Sequence, residues 1–262
     1  MLRILRARWL PLALWLALLG SVCLLRDPLR TNSVQRLEPP GLNIATPLGT
    51  DSLGRDLGAR IARGGLTSTL IGFAAAAAAL LTGGLLGLAA GLAGGKAERG
   101  MLRIADLQQS LPSFLLALAL VAALGAGGGK VVLALALTGW PGMMRVSRAL
   151  ARQLRGREFM TAARALGARP ARIFFRHLLP AATPALAAHF CAQWAGSMMA
   201  EAGLSFLGLG LQPPSPSWGT LLKEGADHLL DAPHVLIISG AAAVFTAWLL
   251  GRAAGKVVMA HE

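Results

Sequence analysis

Few residues inside the apolar stretches of this chain could do chemistry. Glu201 is the one carboxylate well inside such a stretch. An acid there is costly in hydrocarbon, so it calls for either a structural hydrogen-bond partner or a task such as proton relay, and a structural partner near the outer leaflet is the favoured reading. Met198, Met199 and His189 offer thioether and imidazole donors of the kind that hold soft metals. Strung along one helix they pack as core residues instead, and no metal site is expected. Cys23 and Cys191 each lie in an apolar run, without a second cysteine or a histidine at ligand spacing, and read as packed thiols. There is no G-x-S-x-G elbow, no H-E-x-x-H and no intramembrane histidine–aspartate pair. Lys130 follows a glycine run but precedes Val131, and Leu124 stands where a phosphate loop needs its first glycine. The chain is therefore expected to be non-catalytic and to carry no cofactor of its own.

The elements that would position these residues are membrane helices. Of the 262 residues, 55% are hydrophobic and 14% charged, and the mean hydropathy is +0.58, values that a water-soluble domain of this size does not show. A helix needs about 20 mainly apolar residues to cross the hydrocarbon core. Six segments approach this: Trp9 to Leu25, Leu66 to Leu92, Leu111 to Gly125, Val131 to Met144, Ala181 to Leu211 and Val235 to Gly251. The expected fold class is an all-α membrane protein of about six transmembrane helices, a single domain over 1–262. Its first helix is uncleaved and ends near residue 25, an outer segment covers 26–65, and a five-helix core covers 66–262. The third and fourth segments meet at Ala126 to Lys130 as a tight hairpin. Gly83, Gly84, Gly87 and Gly91, with Gly196, Gly203, Gly208 and Gly210, allow close backbone approach between helices.

The net charge of +13 would by itself permit nucleic-acid binding. The arrangement of the charges argues against it. Most of the 25 Lys and Arg fall into segments on one face of the membrane if the N-terminus is cytoplasmic, nine of them arginines between Arg145 and Arg176. That satisfies the positive-inside rule with both termini cytoplasmic. Asp51, Arg55 and Asp56, in the outer segment, could pair with one another, cap a helix or face an external partner. The prolines of GLQPPSPSWG must form a stiff outer turn, and Trp218 beside them suits a headgroup-level anchor.

The loop from Arg145 to Pro180 is helical by pattern. Phe159, Ala162, Ala163 and Leu166 form an apolar stripe, with Arg157, Thr161 and Arg164 on other faces. Gly167 stands where a helix end wants a left-handed residue, and Pro170 suits the first turn of a second helix, which runs to Leu179 and stops before Pro180.

The run AARALG, then nine unmatched residues, then HLLP resembles the coupling motif of ABC importer permeases: Glu-Ala-Ala, three residues, Gly, and later an apolar residue followed by Leu-Pro. PLGTDSLGRDLGARI (Pro47 to Ile61) and AEAGLSFLGLGLQPPSPSWG (Ala200 to Gly219) resemble the dipeptide, oligopeptide and nickel branch of that family. The resemblance implies a type I ABC importer transmembrane fold in the bacterial inner membrane. It implies partners as well: a second homologous permease, cytoplasmic ATPase subunits that carry ATP and magnesium, and a periplasmic or lipid-anchored substrate-binding protein. It assigns Arg157, Glu158, Thr161, Ala162, Ala163, Leu166, Gly167 and Pro180 to ATPase coupling, with Thr161 where the family usually has an acid. Met198, Glu201 and Ser205 are the substrate-path candidates. The cargo is left open among peptides, nickel and metal-chelator complexes. The rival expectation is a self-sufficient secondary transporter or channel, for which ion-coupling acids and an inverted repeat would be needed.

Overall fold

The computed structural model describes residues 2–41 and 44–258, with side chains described for 9–41 and 44–253. The side chains of Arg3, Arg6, Arg8 and Lys256, which enter the charge argument, lie outside the described residues. The described chain is built of helices: α1 (Leu2–Leu25), α2 (Leu57–Ala93), α3 (Gly95–Gln109), α4 (Ser113–Leu124), α5 (Gly128–Arg155), α6 (Glu158–Ala165), α7 (Pro170–Ile173, a π turn at Phe174–Leu178, then Leu179–Phe206), α8 (Trp218–Asp227) and α9 (Pro233–Val258).

Two of these, Leu57–Ala93 and Pro233–Ala253, are on their own long and apolar enough to cross a membrane. α3 and α4 pass that test together but are bent by 77°. α5 and α7 carry too many polar side chains to pass, among them Gln193 and Glu201 on α7. α7 turns both of these side chains into the bundle, whereas α5 carries the exposed charges Lys130 and Arg145.

Several elements differ from expectation. α2 starts at Leu57, nine residues before the apolar run at Leu66, because Asp56 caps it, its carboxylate accepting from the Gly58 N–H at 2.9 Å. Ala62, Gly64 and Gly65 are buried there against other helices, so tertiary contact replaces lipid as the environment of this first part. α5 continues past Met144 to Arg155, so the first third of the Arg145–Pro180 loop is the end of a helix. The helix begun at Pro170 does not stop before Pro180. It passes through the π turn, where the Leu179 N–H reaches back five residues to the Phe174 carbonyl. Widening the ladder there accommodates a proline that has no N–H to give.

The glycine seam has a specific partner. A Cβ at Gly83, Gly87 or Gly91 would overlap the carbonyl oxygens of Trp140, Met144 and Arg148, so α2 and α5 touch backbone to backbone over two turns. Around this contact sit three apolar clusters. One joins α1, α2, α7, α8 and α9 through Leu12, Ile61, Trp194, Leu221 and Leu250. A second joins α2, α4, α5 and α7 through Ala75, Val121, Leu135 and Leu204. The third joins α2, α5, α6 and α7 through Leu88, Met143, Met160 and Leu178.

Candidate functional site

Two places in the bundle are arranged for work, a short helix at one end and a polar groove in the middle. The short helix is α6. Met160 is fully buried, and Ala163 is 9% exposed where it faces the bundle. Ala162 and Leu166 point the other way, and Leu166 is 88% exposed. The apolar stripe is thus divided: Ala163 belongs to the inward contact, and Ala162 with Leu166 forms an outward apolar ridge. Arg157, Glu158, Thr161 and Gly167 are exposed, and the Thr161 hydroxyl reaches no further than the Arg157 carbonyl of its own helix.

Gly167 has φ +77° and closes α6 with a double turn, in which its N–H donates to the Arg164 carbonyl at 2.9 Å and the Ala168 N–H to the Ala163 carbonyl at 3.0 Å. Arg169 is extended and Pro170 starts the next helix, so the angle between α6 and α7 is set within three residues. Pro180 is exposed on α7, 13 residues beyond Gly167 in sequence. The end of α5 that carries α6 is anchored by ion pairs to α3: Arg148 to Glu98 at 2.5 Å, Arg152 to Glu98 at 3.7 Å and Arg145 to Asp106 at 2.5 Å. A force on α6 therefore reaches α3 and α5 together.

The groove, about 330 Å³, lies between α3, α4, α5 and α7. Gln109, Ser113, Thr138, Gln193 and Ser197 line it, with Gly139, Gly142 and Gly196 leaving room between them. No charged side chain is among its lining residues. None of its polar side chains was singled out from sequence. A spacing signal was available, since Gln193, Gly196, Ser197 and Ala200 share one face of α7.

Met198, Glu201 and Ser205 lie on neighbouring faces of α7, not in that groove. Met198 is buried against α2, where the Thr69 hydroxyl approaches its sulfur at 3.7 Å. Glu201 is fully buried and accepts from the Ser205 hydroxyl at 2.6 Å; Ser205 in turn accepts from the Leu211 N–H at 3.0 Å. Together they tie the end of α7 to the turn that follows. Trp218 is not exposed to the surroundings, as a headgroup anchor would be. It is fully buried, its ring against Gly65 and its backbone N–H donating to the Ser68 hydroxyl at 3.0 Å. The Ser217 capping box that starts α8 turns the indole inward.

At the same end a charged network joins distant segments. Asp51 accepts from the Leu53 and Arg55 N–H groups at 2.8 and 2.9 Å, from Arg55 Nε at 2.6 Å and from Arg60. Glu224 on α8 pairs with Arg60 and accepts from the Ser52 hydroxyl at 2.5 Å. Asp56 pairs with Arg26 at 2.9 Å in addition to its cap. Pairing and capping are thus the arrangement these residues adopt.

Burial alone would raise the Glu224 carboxyl, but the Arg60 guanidinium and the hydrogen bonds from Ser52 and Arg60 outweigh it and hold it below its ordinary value of 4.5. A depressed carboxylate contributes stability that is present above its unfolded pKa and is lost as pH falls through its folded pKa. Thermal unfolding followed against pH should therefore be insensitive to Glu224 above 4.5 and fall below it. Glu224→Gln should start lower at neutral pH and lose less on acidification; equal acid loss in both chains would show that Glu224 does not hold this end together.

The family described as "Binding-protein-dependent transport system inner membrane component" matches residues 83–258. A glutathione transport system permease protein from Pectobacterium atrosepticum is 39% identical over 76% of this chain and 66% of its own length. A di/tripeptide transport system permease protein from Pseudomonas aeruginosa is 39% identical over 74% of this chain and 64% of its own. This chain thus spans just under two thirds of the length of those two relatives. A putative peptide transport system permease protein from Brucella suis is 36% identical over 84% of this chain and 73% of its own. Among solved structures, an inward-facing MetNI methionine ABC transporter chain superimposes with a TM-score of 0.65 at 18% identity, covering 78% of this chain and 96% of that one. That likeness shows the fold, a type I ABC importer transmembrane domain.

Proposed function

The chain belongs to the binding-protein-dependent transport system inner membrane component family, and we propose that it is one of two permease subunits of an ATP-driven importer, non-catalytic itself. The observation that carries this reading is α6: a short helix locked to the bundle by Met160 and Ala163, held at a set angle by Gly167, and presenting Ala162 and Leu166 to solvent. An exposed apolar ridge on a rigid mount is what a separate protein needs in order to move the bundle as a body. In this reading cytoplasmic ATPase subunits bind ATP and magnesium, close on ATP, and draw the coupling helices of two permeases together. Arg157, Glu158, Thr161 and Pro180 complete the coupling surface.

Both termini face the cytoplasm, and the 26–56 connector with α8 faces outward, where a substrate-binding protein delivers the solute. The groove between α3, α4, α5 and α7 contributes half of the path. Its amides and hydroxyls suit a solute rich in amide groups, and cargo of the peptide class is favoured by the names of the relatives. Met198, Glu201 and Ser205 act as supports of the path wall rather than as its lining.

The test is reconstitution. The tagged chain, purified with the subunits that accompany it and placed in liposomes with the binding protein outside and ATP inside, should take up labelled dipeptide. The same preparation with a hydrolysis-dead ATPase should not. Uptake by this chain alone and without ATP would replace the importer with a secondary transporter.

A further inference from the structure

Two clefts lie end to end along the seam between α2 and α7. The first, about 370 Å³, is almost wholly apolar, with Leu81, Leu85 and Leu186 in its walls. The second, about 750 Å³, continues past Leu92, Phe174 and Phe175 and ends at Arg155 and Arg164. Leu81 is 63% exposed and Phe175 66% exposed, so the seam is open to whatever surrounds the protein. From Leu80 to Ala93 the seam follows roughly 20 Å of helix, more than the ~15 Å depth of one leaflet's hydrocarbon.

At its charged end, Arg155 and Arg164 also line a neighbouring depression with Arg152 and the exposed Thr161. Two carboxylates of this end are already engaged, Glu98 by Arg148 and Arg152 and Asp106 by Arg145, while Glu158 at the start of α6 is exposed and makes no ion pair with either arginine. Among the described residues no ion pair neutralises Arg155 or Arg164. An apolar trough at membrane depth that leads to unneutralised guanidiniums on the basic side complements one kind of molecule, an amphiphile with an anionic head.

We infer that this seam holds an anionic phospholipid of the inner leaflet, an acyl chain along Leu81, Leu85 and Phe175 and the phosphate between Arg155 and Arg164. Arg164 lies on α6 and Arg155 on α5, so the lipid bridges the short helix to the bundle. Headgroup charge then sets how firmly α6 is held. The inference goes beyond the importer reading, because it concerns the membrane rather than the cargo or the ATPase.

The experiment uses the chain purified with its accompanying subunits, reconstituted in nanodiscs of phosphatidylcholine alone or mixed with phosphatidylglycerol, then re-extracted and weighed by native mass spectrometry. Phosphatidylglycerol should be retained in preference to phosphatidylcholine. The double variant Arg155→Ala/Arg164→Ala should retain it about thirtyfold less, as expected for two arginines at the membrane surface. Ala89→Trp, which fills the cleft and leaves both arginines, should lose it too. Excess inorganic phosphate should not displace it. Equal retention of both lipids would overturn the proposal, as would lipid kept by Ala89→Trp but displaced by phosphate, which would mark a free-anion site. Loss of an ATPase subunit from the arginine variant with phosphatidylglycerol still bound would assign the arginines to a protein partner instead.

Discussion

Replacing Asp51 by alanine should lower the unfolding temperature of the detergent-solubilised chain by on the order of 10 °C, corresponding to about 3–5 kcal/mol. Asp51 is fully buried, and Arg55 and Arg60 beside it are only 7% and 4% exposed. Removing its carboxylate leaves two guanidiniums facing Glu224 alone, in a place where they are largely withdrawn from water. It also removes the acceptor for the Leu53 and Arg55 N–H groups, which hold the connector in register with the start of α2. Arg26→Ala is the control: it breaks an ion pair whose arginine is 33% exposed, and should shift unfolding little. An Asp51→Ala chain that unfolds within a degree or so of the parent would mean that the network is incidental to stability.

Leu166→Asp should have the opposite profile, leaving unfolding unchanged while the ATPase is lost. At 88% exposure the side chain supports nothing within this chain. If an ATPase groove buries it, a leucine contributes about 1.5–3 kcal/mol, and its loss weakens association by roughly 10- to 150-fold before the new charge is counted. Co-purification of the ATPase with the tagged variant, against the parent, reads this directly. Met160→Ala supplies the contrast, since that side chain is fully buried in the cluster with Leu178 and should destabilise the chain itself. An undiminished ATPase in the Leu166→Asp preparation would remove α6 as the docking element. Ala163 is a poor probe of docking for the same reason as Met160, because it faces the bundle.

Much of this was legible in the amino-acid sequence, and the legible part shares one property: it is local. Length and apolarity mark membrane helices, the glycine-then-proline order after Leu166 marks a helix end and a new start, and each is decided by residues within a few positions of one another. Even the departures at Leu57 and Pro180 had local causes, the Asp56 cap and the π turn at Phe174–Leu178. What the sequence alone did not determine is which face of each helix meets which neighbour. The indole of Trp218 is amphipathic and fits a membrane interface as well as a core. Only the approach of Gly65 on another helix decides for the core. Ala162 and Ala163 are equivalent in type and adjacent in position, and only the packing of α6 on α5 and α7 turns one out and the other in. The groove is the same case: Gln109 and Gln193 are far apart in sequence, and nothing short of the fold brings two uncharged amides to one wall. Helical periodicity is an energy summed over neighbours along the chain, whereas the choice of partner face depends on contacts between segments, and those exist only once the bundle has closed.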